Sequence, residues 1–266
     1  MLIDVVSDLH LEIGPAPKLP GGDLLLLCGD TIVAWEFDKR AAEFFVGQVA
    51  KKYARALVLM GNHEHYHGVI DDTPTLMRKI LTTYAPNAKL LDDQVEVIEG
   101  ITFIGSTLWA PCRSDNPFSE LRISTGMNDF RKIATIKSGD KTRRLTTADV
   151  RRRHEASVAW LTETIPQHDR VVVMTHHAPS LQSNTKYQTA IGGDLLTPAY
   201  CSDQEALILA NPQIGHWFHG HTHQASSYMI GTTKVFSNQR GYYGHEALAR
   251  DFDPLRGRFD VYARPS

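Results

Sequence analysis

Five short groups of side chains in the sequence carry the atoms needed for metal binding and acid–base chemistry. They are Asp8-Leu9-His10, Gly29-Asp30, Gly61-Asn62-His63-Glu64, His176-His177 and His221-Thr222-His223. In the first and last groups two potential ligands lie two residues apart, and an extended chain presents such residues on the same face. Carboxylate, amide and imidazole groups together are typical of sites for divalent metal ions.

Each group directly follows a short apolar run that predicts a buried strand. The five runs are residues 2–6, 23–28, 56–60, 171–174 and 214–218. In open α/β sheets, ligands bind outside the carboxyl ends of the strands. We therefore expect the five groups to converge in space, although they lie far apart in the sequence.

Each group alone has an ordinary explanation, because a Gly-Asp pair usually forms a turn and a lone histidine is usually a surface or hydrogen-bonded residue. Together they supply two carboxylates, one amide and four imidazoles, from Asp8, His10, Asp30, Asn62, His176, His221 and His223. Seven such ligands would crowd one ion, whereas two ions sharing a carboxylate would accommodate them. The residual positive charge of two such ions suits a phosphate ester, and paired ions clamp the attacking and leaving oxygens of a displacement.

In order and spacing, these motifs resemble those of the calcineurin-like metallophosphoesterases. They extend from residue 8 to residue 223, which is most of the chain. The resemblance implies an α/β fold, a four-layer sandwich of two mixed β-sheets flanked by α-helices. It also implies two divalent metal ions, from Mn, Fe, Zn, Co or Ni, with Mn favoured.

The resemblance also implies a role for each residue. It implies a first metal bound by Asp8, His10 and His223, a second metal bound by Asn62, His176 and His221, and Asp30 bridging both. His63 would not bind metal, but would contact the phosphate and protonate the leaving alkoxide or stabilise its charge. A hydroxide bridging the metals would be the nucleophile, and no covalent phosphoenzyme is expected.

The sequence departs from the family pattern at one position. Many members carry a second acidic residue three positions after the bridging Asp, where this chain has Val33. His177 matches the pattern less well than His176, and we expect it to support the site from outside the metal ligands.

Several neighbouring residues carry weaker signals. Arg240, which follows the last predicted strand, would reach a substrate phosphate as a two-pronged donor, although a surface turn explains it equally well. His65 and Tyr66 are candidates for the mouth of the pocket, and Glu64 is a candidate for support or substrate choice.

The rest of the chain predicts one domain over residues 1–266. Apolar spacing predicts helices at residues 37–54, 76–84 and 148–164, the last capped by Thr146 or Thr147. Hairpins are predicted for residues 94–98 with 101–104 and for residues 228–230 with 234–237. Residues 110–145 are polar and irregular, and are predicted to form an insertion or lid.

Composition limits the partners of the protein. The net charge is −2 and the pI is about 6.7, so no global positive field attracts nucleic acid or membranes. The longest Leu-rich run is too short to span a bilayer, no signal peptide is evident, and the three cysteines form no disulfide framework. We therefore expect a cytoplasmic location and no membrane partner, while the sequence sets no oligomeric state.

The sequence favours a phosphoesterase that acts on a small phosphoester, with a diester preferred over a monoester. A nuclease is the first alternative, because residues 141–153 include a basic cluster, although a solvated helix start explains that cluster better. A scaffold protein without catalysis is the second alternative. The presence of all seven ligands together with His63 argues against it.

Overall fold

Two β-sheets pack face to face in the computed structural model, which describes residues 1–113, 116–139, 141–185 and 195–262. The strands in chain order are β1 Leu2–Val6, β2 Gly22–Cys28, β3 Tyr53–Leu59, β4 Ala88–Leu90, β5 Gln94–Ile98, β6 Ile101–Ser106, β7 Ala134–Ser138, β8 Lys141–Arg144, β9 Val171–Thr175, β10 Ile214–Phe218, β11 Ser226–Ile230, β12 Thr233–Ser237 and β13 Arg258–Asp260. The helices are α1 Lys39–Phe44, α2 Thr73–Tyr84, α3 Pro117–Gly126, α4 Asp129–Lys132, α5 Thr147–Thr164, α6 Thr197–Tyr200, α7 Glu205–Leu209 and α8 Ala247–Arg250.

Both large sheets are mixed. The first has the order β13-β1-β2-β3-β4, in which only β13 runs antiparallel to its neighbour. The second has the order β11-β12-β10-β9-β6-β5, with parallel pairing at its centre and an antiparallel strand at each edge. The carboxyl ends of the parallel strands in each sheet therefore share one edge of that sheet.

Alternating apolar residues build the layers on either side of the first sheet. In β2, Leu24 and Leu26 belong to the core between the sheets, whereas Leu25 and Leu27 belong to a cluster with residues of α1 and α2. This alternation follows from the two-residue period of a strand. In the second sheet, a separate cluster joins β9 and β10 to α5.

The predicted four-layer arrangement of two mixed sheets flanked by helices is therefore confirmed. The predicted strands and both predicted hairpins are also present, with bounds that differ by at most three residues. Thr146 caps α5, because its side chain accepts from the Asp149 amide and the Asp149 side chain accepts from the Thr146 amide.

The helix predicted over residues 37–54 is wrong at both ends. Its α-helical part begins at Lys39, continues as a π-helical turn over Phe45–Ala50, and ends there. Tyr53, which lies within the predicted helix, is the first residue of β3 and pairs with Gly22. Its hydroxyl donates a hydrogen bond to Asp4 Oδ2 over 2.7 Å, so contacts with the sheet override the local helical spacing.

Residues 110–145 are more regular than the sequence indicates. Their described part contains α3, α4 and the β7–β8 hairpin, so the prediction of an irregular segment is wrong. Ile123 and Ile133 from this segment share an apolar cluster with Tyr66 and Ile70. The short polar elements are therefore held by contacts with the main body, which local sequence does not reveal.

Within the described ranges, no helix combines the length and the apolar character needed to cross a membrane.

Candidate active site

The five sequence groups meet at the edge of the two sheets where the parallel strands end. The ligand atoms of Asp8, His10 and His223 all lie within 4.8 Å of one another, as do those of Asp30, His176 and His221. This convergence of distant sequence groups is the arrangement that the strand-end argument predicts.

Asp30 lies between the two groups. Its Oδ2 is 3.8 Å from His10 Nε2, and its Oδ1 is 3.4 Å from His176 Nε2. Asn62 joins the second group, with its Oδ1 3.2 Å from His176 Nε2. One carboxylate thus faces both groups of ligands, each oxygen toward a different group.

Five of the seven ligand candidates have backbone conformations that side-chain-bearing residues rarely adopt. The φ angles are 53° for Asp8, 45° for His10, 53° for Asp30, 70° for His221 and 47° for His223. Left-handed conformations of residues other than glycine cost of the order of 1 kcal/mol each, and they concentrate at functional sites. The sharp turns after the strands direct these side chains back toward one point.

Two glycines allow the ligand loops to approach each other. Gly29 has a φ of 89°, and a side chain there would meet the His176 ring and the Gly61 amide. A Cβ at Gly61 would collide with Asp30 Oδ1 and with the His176 ring. Gly61 is therefore needed for space around the shared carboxylate.

Glu64 fastens the loops that carry Asp30 and Asn62. Its Oε2 accepts from the backbone amides of Asp30 and Gly61, over 3.0 and 2.6 Å, and its Oε1 accepts from the Thr31 amide over 2.7 Å. Burial, followed by the nearby Asp30 carboxylate, raises the pKa of Glu64 to about 7. Glu64 thus holds the loop after β2 and the loop after β3 together through hydrogen bonds to their backbone amides.

Each ligand imidazole has one ring nitrogen held by an acceptor outside the ligand groups. The pairs are His10 Nδ1 with Glu12 Oε1 at 3.0 Å, His176 Nδ1 with the Cys28 carbonyl at 2.9 Å, His221 Nε2 with the Ala199 carbonyl at 3.2 Å, and His223 Nδ1 with Glu246 Oε2 at 2.7 Å. Such bonds fix the ring orientation and leave the other nitrogen free for a metal.

Asn62 is oriented by a residue of helix α4. Asp129 Oδ1, in α4, accepts from Asn62 Nδ2 over 2.9 Å and from the Tyr66 hydroxyl over 2.8 Å. With its nitrogen occupied in this way, Asn62 turns its carbonyl oxygen toward His176. Helix α4 therefore helps to shape the site.

The donor set fits two divalent ions. His10 Nε2 and His223 Nε2 lie only 3.1 Å apart, which is favourable when a proton or a cation lies between them. Nitrogen and oxygen donors are mixed in both groups. The second nitrogen of each histidine ring is hydrogen-bonded to an acceptor, which is usual for histidine ligands of metals. These residues are the ones that the sequence predicts as ligands.

The acidic and basic members of the site stabilise each other's charged forms when no metal is bound. Burial lowers the pKa of His176, but the Asp30 carboxylate outweighs this and raises it to about 9. Burial is likewise outweighed at His223, where hydrogen bonds with Asp8 and Glu246 raise the pKa to about 10. Against the effect of burial, the same partners lower the pKa of Asp8 and of Asp30.

His63 faces a cavity of about 180 Å³ that opens beside the shared carboxylate. Its backbone amide donates to Asp30 Oδ1 over 2.8 Å, and its Nε2 lies 3.2 Å from the Tyr242 hydroxyl. Tyr66 packs against it with ring centroids 4.1 Å apart. The imidazole is thus adjacent to the ligand groups and lines the cavity, with Nδ1 held by Glu12 and Nε2 beside the Tyr242 hydroxyl.

The structure locates the weaker candidates differently. Tyr66 lines the cavity, but His65 does not, and it faces a separate cavity beside Trp109. Arg240 is buried with its Nη1 3.2 Å from the Leu9 carbonyl, and it is not among the residues lining the cavity. His177 packs on His221 with ring centroids 4.0 Å apart, outside the ligand groups.

The basic cluster at residues 141–153 is largely engaged in ion pairs. Arg143 and Arg152 both contact Asp149, Arg151 contacts Glu120, and Arg153 contacts Asp71. These pairs support the interpretation of the cluster as a solvated helix start.

Sequence reasoning missed four residues that shape the site: Glu12, Asp129, Tyr242 and Glu246. Glu12 is two residues after His10, so the same-face spacing that identified the first ligand pair also applied to it. The other three gave no local signal, because their partners lie far along the chain.

Comparison with known proteins agrees with the fold. The family described as calcineurin-like phosphoesterase matches residues 1–225. A protein of Acanthamoeba polyphaga mimivirus, described as uncharacterized protein L509, is 28% identical over 290 aligned residues, covering 98% of this chain and 95% of the viral protein. The crystal structure of phosphopantetheinyl hydrolase (PptH) from Mycobacterium tuberculosis superposes with a TM-score of 0.68 over 99% of this chain and 98% of that chain. At 13% sequence identity, this likeness supports the fold alone.

The chain belongs to the calcineurin-like phosphoesterase family. This is a family of phosphoester hydrolases that use divalent metal ions, and the described residues provide matching candidate metal-binding groups.

Replacing Gly61 by alanine is expected to disturb both Asp30 and His176. We expect Gly61→Ala to weaken Mn²⁺ binding by at least about 10-fold, which isothermal titration calorimetry would measure. Gly47→Ala is the matched control, because a methyl group there meets nothing within 4 Å. Unchanged affinity and stoichiometry in Gly61→Ala would contradict the close packing inferred around Asp30.

The metal-free protein should lose stability as the pH rises. The folded-state pKa values of His176 and His223, about 9 and about 10, exceed the ordinary value of 6.5. Their contribution to the free energy of unfolding is therefore complete below pH 6.5 and is lost as the pH rises through the folded-state values. Urea unfolding in the presence of a chelator, across this range, would measure it. With saturating Mn²⁺ the trend should weaken or reverse, because bound imidazoles must be neutral; a flat profile without metal would refute the prediction.

Proposed function

We propose that the protein hydrolyses small phosphodiesters with two divalent metal ions. The observation that carries this proposal is the position of Asp30, whose two carboxylate oxygens face two separate groups of ligands. In this proposal the first ion would be held by Asp8, His10 and His223 and the second by Asn62, His176 and His221, and Asp30 would contribute to both sites. When bound, such ions polarise phosphoryl oxygens and lower the pKa of coordinated water.

His63 supplies the acid in the proposed reaction. Its ring lines the cavity together with Asp30 and Tyr242, and Nε2, which contacts the Tyr242 hydroxyl, is the nitrogen that would meet the oxygen of a leaving group. The Asp30 carboxylate, followed by a hydrogen bond with Glu12, outweighs burial and raises the pKa of His63, so the ring is protonated more readily than a free histidine. His63 would donate this proton to the leaving alkoxide, while Asn62 and the imidazole ligands hold the phosphoryl group's binding site in place.

The lining of the cavity favours a diester over a monoester. Among the residues that the structure describes, no Lys or Arg lines this cavity, and Glu246 adds a carboxylate to its wall. A monoester dianion would therefore rely on the ions and on protonated His63 for charge compensation. A diester carries a single negative charge, and it needs less compensation.

The inserted segment is proposed to select the leaving group. Gly126, Met127 and Asn128 line the cavity between α3 and α4. Asp129, the next residue, orients Asn62. The segment would therefore contact the substrate through residues 126–128 and the ligand Asn62 through Asp129.

Manganese is the favoured ion, because mixed imidazole and carboxylate donors suit Mn better than Mg or Ca. A nuclease is not favoured, since four of the five arginines of the basic cluster are engaged with acidic residues. The cytoplasmic location and the single domain over residues 1–266 stay predictions, as does the contact of Arg240 with a substrate phosphate.

Removing the proposed acid should leave the metal site intact. We expect His63→Ala to lower kcat on an alkyl phosphodiester by about 10²- to 10⁴-fold, the usual contribution of general acid catalysis. The Mn²⁺ content, measured by atomic emission, should stay at two ions per chain. His67→Asn is the control, because His67 is an exposed histidine of the same loop. Full activity of metal-loaded His63→Ala would exclude His63 as the acid.

Substrate preference is open to direct measurement. With Mn²⁺, kcat/KM for bis(4-nitrophenyl) phosphate should exceed that for 4-nitrophenyl phosphate by at least about 10-fold, which corresponds to about 1.4 kcal/mol. A chelator should abolish both activities. The panel should add single- and double-stranded DNA and RNA, together with a phosphopantetheinyl ester, since the structural neighbour is named for that hydrolysis. A preference for the monoester would overturn the argument from the lining of the cavity.

A further inference from the structure

Glu12 connects the two histidines that have different tasks in the proposed reaction. A single oxygen, Oε1, lies 3.0 Å from His10 Nδ1 and 2.9 Å from His63 Nδ1. The Glu12 side chain is only 19% exposed, so these contacts lie largely away from solvent. The two rings stand edge to face, with centroids 4.4 Å apart.

The shared contact determines which nitrogen each ring presents to the site. A carboxylate oxygen accepts hydrogen bonds and donates none, so both Nδ1 atoms carry protons in these contacts. His10 Nε2 then keeps its lone pair for a metal, and His63 Nε2 is the atom left to face the cavity. A free imidazole exchanges its proton between the two nitrogens, so the task of each ring depends on this contact.

Position 33, three residues after Asp30, offers the His63 ring no acceptor. Val33, at the position where many similar proteins carry an acid, is buried in an apolar cluster with Tyr66 and Ile70. Among the described residues, Glu12 is the one whose carboxylate bonds to the His63 ring. The orienting carboxylate therefore comes from the loop that carries the first metal's ligands.

We propose that Glu12 is a positioning residue that sets His10 for metal binding and His63 for proton donation through one shared oxygen. The proposal rests on the proposed function for the role of each histidine. It deepens that function by linking two properties: loss of the Glu12 carboxylate should weaken the first metal's binding and impair the protonation of the leaving group together.

The matched variants are Glu12→Ala and Glu12→Gln. Alanine removes the acceptor. Glutamine keeps an oxygen acceptor and puts its amide nitrogen where Oε2, which has no hydrogen-bond partner among the described residues, now lies. Glu36→Ala is the control, because Glu36 also contacts a histidine, His67, but on the exposed surface.

The kinetic test compares two esters that share a phosphoryl group but differ in the leaving group. An alkyl leaving group needs protonation, whereas 4-nitrophenolate departs without it. At saturating Mn²⁺, Glu12→Ala should lower kcat for the alkyl ester by about 10²-fold or more and that for the nitrophenyl ester by less than about 10-fold. Glu12→Gln should recover most of the alkyl rate. Equal losses on both esters, or no recovery with glutamine, would overturn the positioning role.

Two further measurements do not need activity. In Zn²⁺-loaded protein, proton NMR should show slowly exchanging, hydrogen-bonded Nδ1 protons for His10 and His63, and both should be lost in Glu12→Ala and kept in Glu36→Ala. Calorimetry should show about 10-fold weaker binding of one of the two ions in Glu12→Ala. Nδ1 protons unchanged by Glu12→Ala would refute the positioning role of Glu12. This result does not depend on hydrolysis, so it distinguishes failure of the positioning role from failure of the proposed function. If Glu12→Ala does not fold, the same NMR signals in Glu12→Gln decide: their persistence supports the contact, and their loss contradicts it.

Discussion

The whole site depends on keeping one carboxylate, that of Asp30, charged and almost fully buried. Removing an ionised carboxylate from water costs several kcal/mol unless opposite charges and hydrogen bonds compensate. Here the compensation comes from the His176 imidazole, whose pKa the Asp30 carboxylate raises, and from the His63 amide. In the metal-free protein protonated imidazoles supply the positive charge, and divalent ions would supply more of it. The need to place this carboxylate between compensating groups also explains the strained backbone at Asp30, because its left-handed turn directs the carboxylate between the two groups.

Packing of the two sheets sets the geometry around Asp30. Asp30 and Asn62 follow strands of the first sheet, whereas His176 and His221 follow strands of the second. The distances between these ligands are therefore fixed by the apolar layer between the sheets, which includes Leu26, Phe103 and Met174 among its buried residues. Protein interiors pack about as densely as organic crystals. Such a layer therefore holds the two sheets, and the ligands that follow their strands, at nearly fixed relative positions. In a metal site that spans two sheets, the distances between the ligands consequently depend on how well the core between the sheets is packed.

The sequence predicted what is local and missed what is contributed from a distance. The strand ends follow from apolar runs, and the mixed-sheet sandwich follows from the resemblance of the motifs to a known family; both predictions were confirmed. The residues that orient the ligands were missed, because Asp129 lies 67 residues from Asn62 and Glu246 lies 23 residues from His223. The helix predicted through residue 54 failed for a related reason, since the pairing of Tyr53 with the sheet outweighed its helical spacing.

Glu12 shows why a reactive site is better described by geometry than by position in a motif. A histidine that donates a proton from Nε2 needs an acceptor within about 3 Å of Nδ1, and any loop that reaches this point satisfies the requirement. In this chain the loop after β1 already approaches His63, because it carries His10. An acceptor from that loop contacts both rings through one oxygen, which an acceptor directed at His63 alone would not do. In the proposed reaction, the orientation of the proton donor and the affinity of one metal would therefore depend on the same atom.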